Sequence, residues 1–160
     1  MQTNTKLQQQ DFSLRISRSF NAPRALVFKA WTDKQHMVQW FCPEGFTLTH
    51  LDMDVRVGGE YSFSFKNPRG TESIAHGTYQ EITPPSRLVY THIWDHNCSE
   101  EDKMLEGLET LVTIDFLEQG DKTLLNFTHS GLPNQETADS HQRGWTMFLD
   151  SLAEKIATLA

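Results

Sequence analysis

A chain of 160 residues is long enough for one domain with a substantial core and short for two. Its formal net charge of −7 argues against nucleic acid or an anionic membrane surface as partner. No apolar run approaches the roughly 18 residues that a membrane-spanning helix needs.

The polar opening MQTNTKLQQQ has no apolar stretch of the signal-peptide kind. It is expected to be a disordered lead over residues 1–10, ahead of a single domain over residues 11–160. Without a leader the expected location is cytoplasmic, where Cys42 and Cys98 stay as free thiols. The tripeptides NCS at Asn97 and NFT at Asn126 match the glycosylation pattern but carry no weight in such a compartment.

From Phe12 the pattern alternates, with Phe12, Leu14 and Ile16 on one face and Ser13, Arg15 and Ser17 on the other, which reads as a half-buried strand. NAPRALVFKAWTD follows as a helix, with Asn21 as its expected N-cap and Pro23 in its first turn. Asp33 caps a second short helix through Trp40, and CPEG ends it. FTLTHLDMDVRV then runs to Gly58-Gly59, a hairpin signal, and EYSFSF alternates up to the turn NPRG. ESIAHGTYQEIT, SRLVYTHIWDH, TLVTIDF and KTLLNFTH complete the strands. Between two of them, the acidic stretch CSEEDKMLEGLE reads as a long solvated loop.

The last element is a helix from about Gln135 to Leu159, with His141, Trp145, Phe148, Leu149, Leu152 and Ile156 on one stripe. Hairpin-linked strands make an antiparallel sheet, and one long apolar-striped helix must cover a face of it. The predicted fold class is therefore α+β: a curved antiparallel sheet of six to seven strands wrapped around a C-terminal helix, with two short helices after the first strand. Gly144 stands out within that helix, because glycine there costs about 1 kcal/mol relative to alanine. Two readings account for it: close packing against a sheet aromatic, which is preferred, and clearance for a bound group beside Trp145.

Catalytic signatures are absent: no nucleophile elbow, phosphate-cradling glycine loop or nucleotide fingerprint occurs. His92 and His96 lie four residues apart on a strand, about 13 Å, too far for joint ligation. The remaining five of the seven histidines have no metal-site spacing, so neither metal nor cofactor is expected. Cys42 reads as a small, partly buried residue before a turn rather than a nucleophile.

The aromatic supply exceeds what a small core needs, at four Trp, ten Phe and three Tyr. A single helix over a curved sheet encloses more volume than its stripe fills, which makes a concave apolar pocket. The candidate lining is Trp31, Trp40, Phe41, Tyr61, Phe63, Phe65, Trp94, Phe127, Trp145, Phe148 and Leu149, with His92, His129 and His141 as polar-tipped members. Asp54 and Arg56 join them if Gly58-Gly59 is a two-residue turn, because Asp54 then faces Phe63 and Arg56 faces Tyr61. A bulge or longer turn reverses the parity and puts Val55 and Val57 inside instead.

RSFNAPRALVFKAWTD, WFCPEGF, DMDVRVGGEYSFSF, HGTYQEITPPSRLVYT, LVTIDF, TLLNFTHSGLP and GWTMFLDSLAEKI occur in an order that resembles one family. The chain is similar to stand-alone members of the family named after the C-terminal domain of the activator of the heat-shock protein 90 ATPase. That family lies within the START-like, birch-pollen-allergen-like (SRPBCC) superfamily. The resemblance spans roughly Phe12 to Ile156 and implies a helix-grip fold with a cavity between sheet and helix. It implies binding of a small apolar or amphipathic molecule, with a co-chaperone or stress-response module and a cavity enzyme of polyketide-cyclase or hydrolase type as alternatives. In the enzyme alternative Asp54, Arg56, His92 or His129 act as acid, base or oxyanion donor. Partners are then a small apolar molecule or a chaperone, in a monomer or homodimer, without nucleic acid or membrane insertion. Gly144-Trp145 matches the family's C-terminal helix motif, whereas many relatives carry tryptophan and glycine where Phe41 and Cys42 stand. The heat-shock activator itself has a separate N-terminal domain that makes much of the chaperone contact, for which this chain is expected to have no room.

Overall fold

The computed structural model describes residues 12–97 and 100–159. The proposed disordered lead and Cys98 lie outside the described residues. The elements, in chain order, are β1 (Phe12–Phe20), α1 (Arg24–Thr32), α2 (Lys34–Trp40), β2 (Thr47–Met53), β3 (Glu60–Lys66), β4 (Glu72–Thr83), β5 (Arg87–His96), a 3₁₀ helix (Glu100–Leu105), β6 (Glu109–Gln119), β7 (Lys122–Leu132) and α3 (Gln135–Lys155). A final 3₁₀ turn over Ile156–Thr158 extends α3.

All seven strands form one antiparallel sheet in the order β1-β7-β6-β5-β4-β3-β2. Each hairpin joins sequence neighbours except that β1 returns to pair with β7, so the chain's first strand sits beside its last. Register shifts at Ile74/Ala75 and Tyr79/Glu81 interrupt the β4–β5 ladder, and such irregularities bend a sheet locally. The result is the curved, helix-gripping sheet expected from the alternation of the strands.

α3 starts where Asn134 accepts a hydrogen bond from the Thr137 backbone N–H at 2.8 Å, a side-chain N-cap. Its stripe of His141, Trp145, Phe148, Leu149 and Leu152 is buried against the sheet. α2 begins with the expected Asp33 cap, which accepts from Gln35 N–H at 2.9 Å. α1 differs from expectation: Pro23 itself is the N-cap and no side-chain cap bond forms, while Pro23 C=O accepts from Val27 N–H at 3.2 Å. The two short helices close one end of the sheet through Trp31 and Trp40, whose rings meet edge-on at 4.8 Å. Trp40 donates its indole N–H to Ala30 C=O at 2.8 Å, and Ser151 of α3 donates to Trp40 C=O at 2.7 Å.

The acidic stretch after β5 is not a solvated loop. The 3₁₀ helix folds back over α3, Leu105 is 1% exposed, and Asp102 is buried where Ser140 Oγ donates to it at 2.8 Å. One apolar anchor and one hydrogen-bonded carboxylate are enough to hold the segment down.

Candidate functional site

The strand period places Tyr61, Phe63 and Phe65 of β3 on the inner face, and His92 and Trp94 of β5 beside them. Between these two rows runs β4, whose residues paired with the β3 aromatics are all small: Ser73 opposite Phe65, Ala75 opposite Phe63, and Gly77 opposite Tyr61. Rings from both neighbours therefore lean over β4, and Phe63 and Phe65 each lie 6.2 Å from Trp94, nearly perpendicular to it. Gly77 is obligatory in this arrangement. A Cβ there would lie 1.9 Å from Thr91 O and 2.7 Å from the Tyr61 ring, which crosses it to donate to Thr91 C=O at 2.6 Å.

Above the row of small residues is a cavity of about 200 Å³. Its walls are the rings of Phe41, Phe46, Phe63, Phe65, Trp94, Trp145 and Phe148, and its rim includes Met147, which is 43% exposed. Ser73, Asn97, Asp102 and Ser140 add polar edges, and His92 and His141 border it as well. Gly144 forms part of the helix-side wall, and a Cβ built on it would meet nothing within 4 Å. The packing explanation of Gly144 is thereby overturned: no sheet aromatic presses on it, and the missing side chain leaves open space.

Three buried histidines line up behind the rings, His92 5.3 Å and His141 5.4 Å from His129 between centroids. Their protonation follows from the donors that meet them. An indole N–H only donates. Trp94 donates to His141 Nε2 at 2.9 Å, so His141 carries its proton on Nδ1 and donates to Thr137 C=O at 3.0 Å. Trp145 donates to His129 Nδ1 at 3.1 Å, so His129 donates from Nε2 to Thr110 Oγ1 at 2.7 Å, and the Thr110 hydroxyl donates in turn to His92 C=O at 2.8 Å. The Tyr61 hydroxyl has already donated to Thr91, so it accepts from His92 Nδ1 at 3.3 Å. That leaves His92 Nε2 as a bare acceptor, and it is buried with no partner.

Burial holds all three imidazoles neutral. It pushes His92 down to about 3, with His141 and His76 adding repulsion, and takes His129 well below the ordinary histidine range, reinforced by His92 and His141. His141 is also lowered by burial, against the opposing pull of Asp102, whose Oδ1 lies 3.6 Å from Nδ1, and of the Thr137 carbonyl. Among the described residues no group of three His, Cys, Asp or Glu side chains converges as metal ligands would. Cys42 is partly buried, and burial pushes its thiol up to about 12, which keeps it protonated and unreactive at neutral pH.

Of the expected lining residues, Phe41, Phe63, Phe65, His92, Trp94, His141, Trp145 and Phe148 border the cavity. Trp31 and Tyr61 instead border a second void of about 20 Å³, separated from the first by Phe41 and Phe63, which line both. Trp40, Phe127 and Leu149 are fully buried core and do not border the cavity, and His129 stands behind Trp145 as its hydrogen-bond acceptor. Asp54 and Arg56 lie outside it altogether. Met53 pairs with Tyr61 and Leu51 with Phe63, so the turn is longer than two residues and the parity is the reverse of the one that brings the charges in. Asp54 and Arg56 pair with each other at 2.9 Å on the surface, their side chains 53% and 70% exposed. Val55 packs partly against the core, while Val57, also expected inside in this parity, is 62% exposed in the turn. Sequence reasoning missed Phe46, Ser73, Asn97, Asp102, Ser140 and Met147 as lining residues. Ser140 had a legible signal, since it stands one helical turn before Gly144 on the same face.

A long helix gripped by a curved seven-stranded antiparallel sheet, with a ring-walled cavity between them, defines a START-like helix-grip domain. The chain belongs to the family described as Activator of Hsp90 ATPase homolog 1-like protein, which matches residues 21–157. Among solved structures it is similar to protein CV1439 from Chromobacterium violaceum, at 29% identity and a TM-score of 0.78 over 90% of this chain and 96% of that one. It is similar to CalU16 from Micromonospora echinospora at 26% identity and a TM-score of 0.69, covering 91% and 76% of the two chains. The AHSA1 protein from Silicibacter pomeroyi shares the fold at 24% identity and a TM-score of 0.76, covering 93% and 100%. No functionally curated protein matches the chain. No helix among the described residues is long and apolar enough to cross a membrane.

Proposed function

We propose that the chain is a binding domain that holds a small, largely apolar molecule between α3 and the sheet. The observation that carries this reading is the combination of an about 200 Å³ ring-walled cavity with Gly144 in its helix-side wall, where a Cβ would meet nothing within 4 Å. Filling that space with a leucine or methionine would have stabilised the domain, since each buried apolar side chain contributes about 1.5–3 kcal/mol. The cavity is somewhat larger than an apolar void of about 150 Å³ that takes up benzene, so its guest is on the scale of one substituted ring.

Binding is favoured over catalysis by the state of the polar groups. The histidines are neutral and their tautomers are held by indole and hydroxyl partners, and the Asp54–Arg56 pair named for acid–base work faces solvent. Native mass spectrometry of protein purified gently from its own source tests the proposal, followed by thermal-shift measurement with the released compound. A retained apolar compound that raises the melting temperature in the wild type and loses affinity in Trp145→Ala supports it. Protein that is empty and indifferent to monocyclic aromatics, fatty acids and sterols alike refutes it.

A further inference from the structure

The ring cluster around the cavity is asymmetric in its hydrogen-bonding capacity. Both indole N–H groups that border it are spent on histidine nitrogens, Trp94 on His141 and Trp145 on His129. The protonated nitrogens of His129 and His141 are spent on Thr110 and on the Thr137 carbonyl. Among the ring nitrogens of this cluster, what is left is the lone pair of His92 Nε2, on a residue that borders the cavity and is 1% exposed; the oxygens of Asp102 and Ser140 lie at the cavity's polar edge. An orphaned acceptor at such depth is uncommon, and leaving it unmet is costly. Its placement is held from two sides: Phe63 stacks on the imidazole at 6.0 Å and 16°, and Tyr61 fixes Nδ1 as the protonated nitrogen. Tyr61 in turn reaches that position only because β4 has glycine at 77. Tyr61 and Gly77 thus keep His92 in the tautomer whose bare nitrogen is Nε2, an acceptor rather than a donor.

We infer that the guest is an uncharged single-ring aromatic carrying one hydroxyl or N–H, which lies among Phe63, Phe65, Trp94 and Phe148 and donates its proton in a hydrogen bond to His92 Nε2. This rests on the cavity being a binding site. An anionic guest is disfavoured on the same grounds, because a carboxylate would place its lone pairs against that of His92 and its charge near Asp102, which also borders the cavity. A purely apolar ring would fit but leave Nε2 unpaired. Sites that need a donor reject the isostere lacking it more strongly than a hydrophobic pocket rejects a size change.

The test uses the full chain and three para-substituted toluenes: p-cresol and p-xylene, which match in size, and the larger anion 4-methylbenzoate. Dissociation constants come from calorimetric titration, and the His92 Nε2 resonance is followed by ¹⁵N NMR of imidazole-labelled protein. The expected result is p-cresol binding about tenfold or more tighter than p-xylene, with 4-methylbenzoate weakest, and a saturable shift of the unprotonated Nε2 signal with p-cresol alone. In His92→Phe the preference for p-cresol disappears while p-xylene still binds; if that variant does not fold, the wild-type Nε2 shift decides. Equal or tighter binding of p-xylene with an unmoved Nε2 signal overturns the inference and leaves the apolar binding site standing, with a resident water as the partner of Nε2. Tightest binding of 4-methylbenzoate overturns it as well. If none of the three binds, this inference falls, and titration with fatty acids and sterols then decides the binding reading itself.

Discussion

Gly144→Ala separates the two explanations of the glycine in α3 by the sign of its effect on stability. Were the glycine there for close packing, a methyl group would collide and destabilise the domain. The structure puts nothing within 4 Å of that methyl. The substitution then acts through the helix alone, where alanine is favoured over glycine by about 1 kcal/mol in an interior position. Gly144 is well inside Gln135–Lys155, so the full propensity difference applies. For a domain of this size about 1 kcal/mol corresponds to a rise in melting temperature of about 2–4 °C. Urea unfolding followed by tryptophan fluorescence, with calorimetry as the second probe, measures both quantities, and the m-value is expected to stay constant. A variant less stable than wild type by more than about 0.5 kcal/mol would refute the reasoning, since nothing in the cavity wall offers the methyl a clash. Gly144→Leu extends the comparison: it places a branched side chain in the cavity, and is expected to keep the fold while abolishing uptake of p-xylene.

Four further outcomes are expected. Gly77→Ala drives a methyl into Thr91 O and the Tyr61 ring, and by forcing Tyr61 off its partner is expected to cost more than about 3 kcal/mol, seen as a collapse of the melting temperature or loss of soluble protein. Acid weakens the fold through the buried histidines. Their folded-state pKa values lie below the unfolded value, so the unfolded chain binds more protons as pH falls through about 6.5. At pH 5.5 His92 and His129 together are expected to cost about 2.5 kcal/mol relative to neutral pH, and a urea midpoint that is flat between pH 7.5 and 5.5 would contradict their burial as neutral groups. Cys42 is expected to resist a thiol-specific disulfide reagent at pH 7.5 in the folded protein and to react once urea unfolds it. Asp54→Asn, on the exposed turn, is expected to change stability by no more than about 0.5 kcal/mol and to leave binding unaltered, as read by the same unfolding and titration measurements.

The elements were legible because their periods are strong. The alternation in EYSFSF and the stripe through His141, Trp145, Phe148 and Leu152 each announce a face, and Asp33 marks the start of the helix it caps. Parity at the β2–β3 turn was not legible. Whether Asp54 faces the cavity depends on the length of one turn, and the pair Gly58-Gly59 is compatible with more than one; here Gly58 has φ +87° and a Cβ on Gly59 would lie 2.0 Å from Asp54 O, the geometry of a longer loop folded on itself. The burial of Asp102 was equally hidden, because an acidic run reads as solvated until its partners are known, and Ser140 and His141 lie on an element distant in sequence. The small inner face of β4, by contrast, was legible, and Ser73 at its end borders the cavity. Ser73, Ala75 and Gly77 alternate as small inward residues between two aromatic strands, a pattern the strand period exposes once the neighbours are known. Aromatic abundance alone could not separate Trp40 and Phe127, which are core, from Phe65 and Trp94, which are walls, since both sets bury the same kind of surface.

The central claim is that the space between α3 and β4 is a binding site. A ¹H–¹⁵N NMR titration with p-cresol tests it directly, because the reporters are built into the wall: the Gly144 amide and the indole N–H groups of Trp94 and Trp145. The account predicts saturable shifts at these three signals with one common dissociation constant, while the amides of Asp54 and Arg56 on the exposed turn stay still. Absence of any saturable shift at Gly144, Trp94 and Trp145, or shifts spread over the outer strands instead, would contradict it.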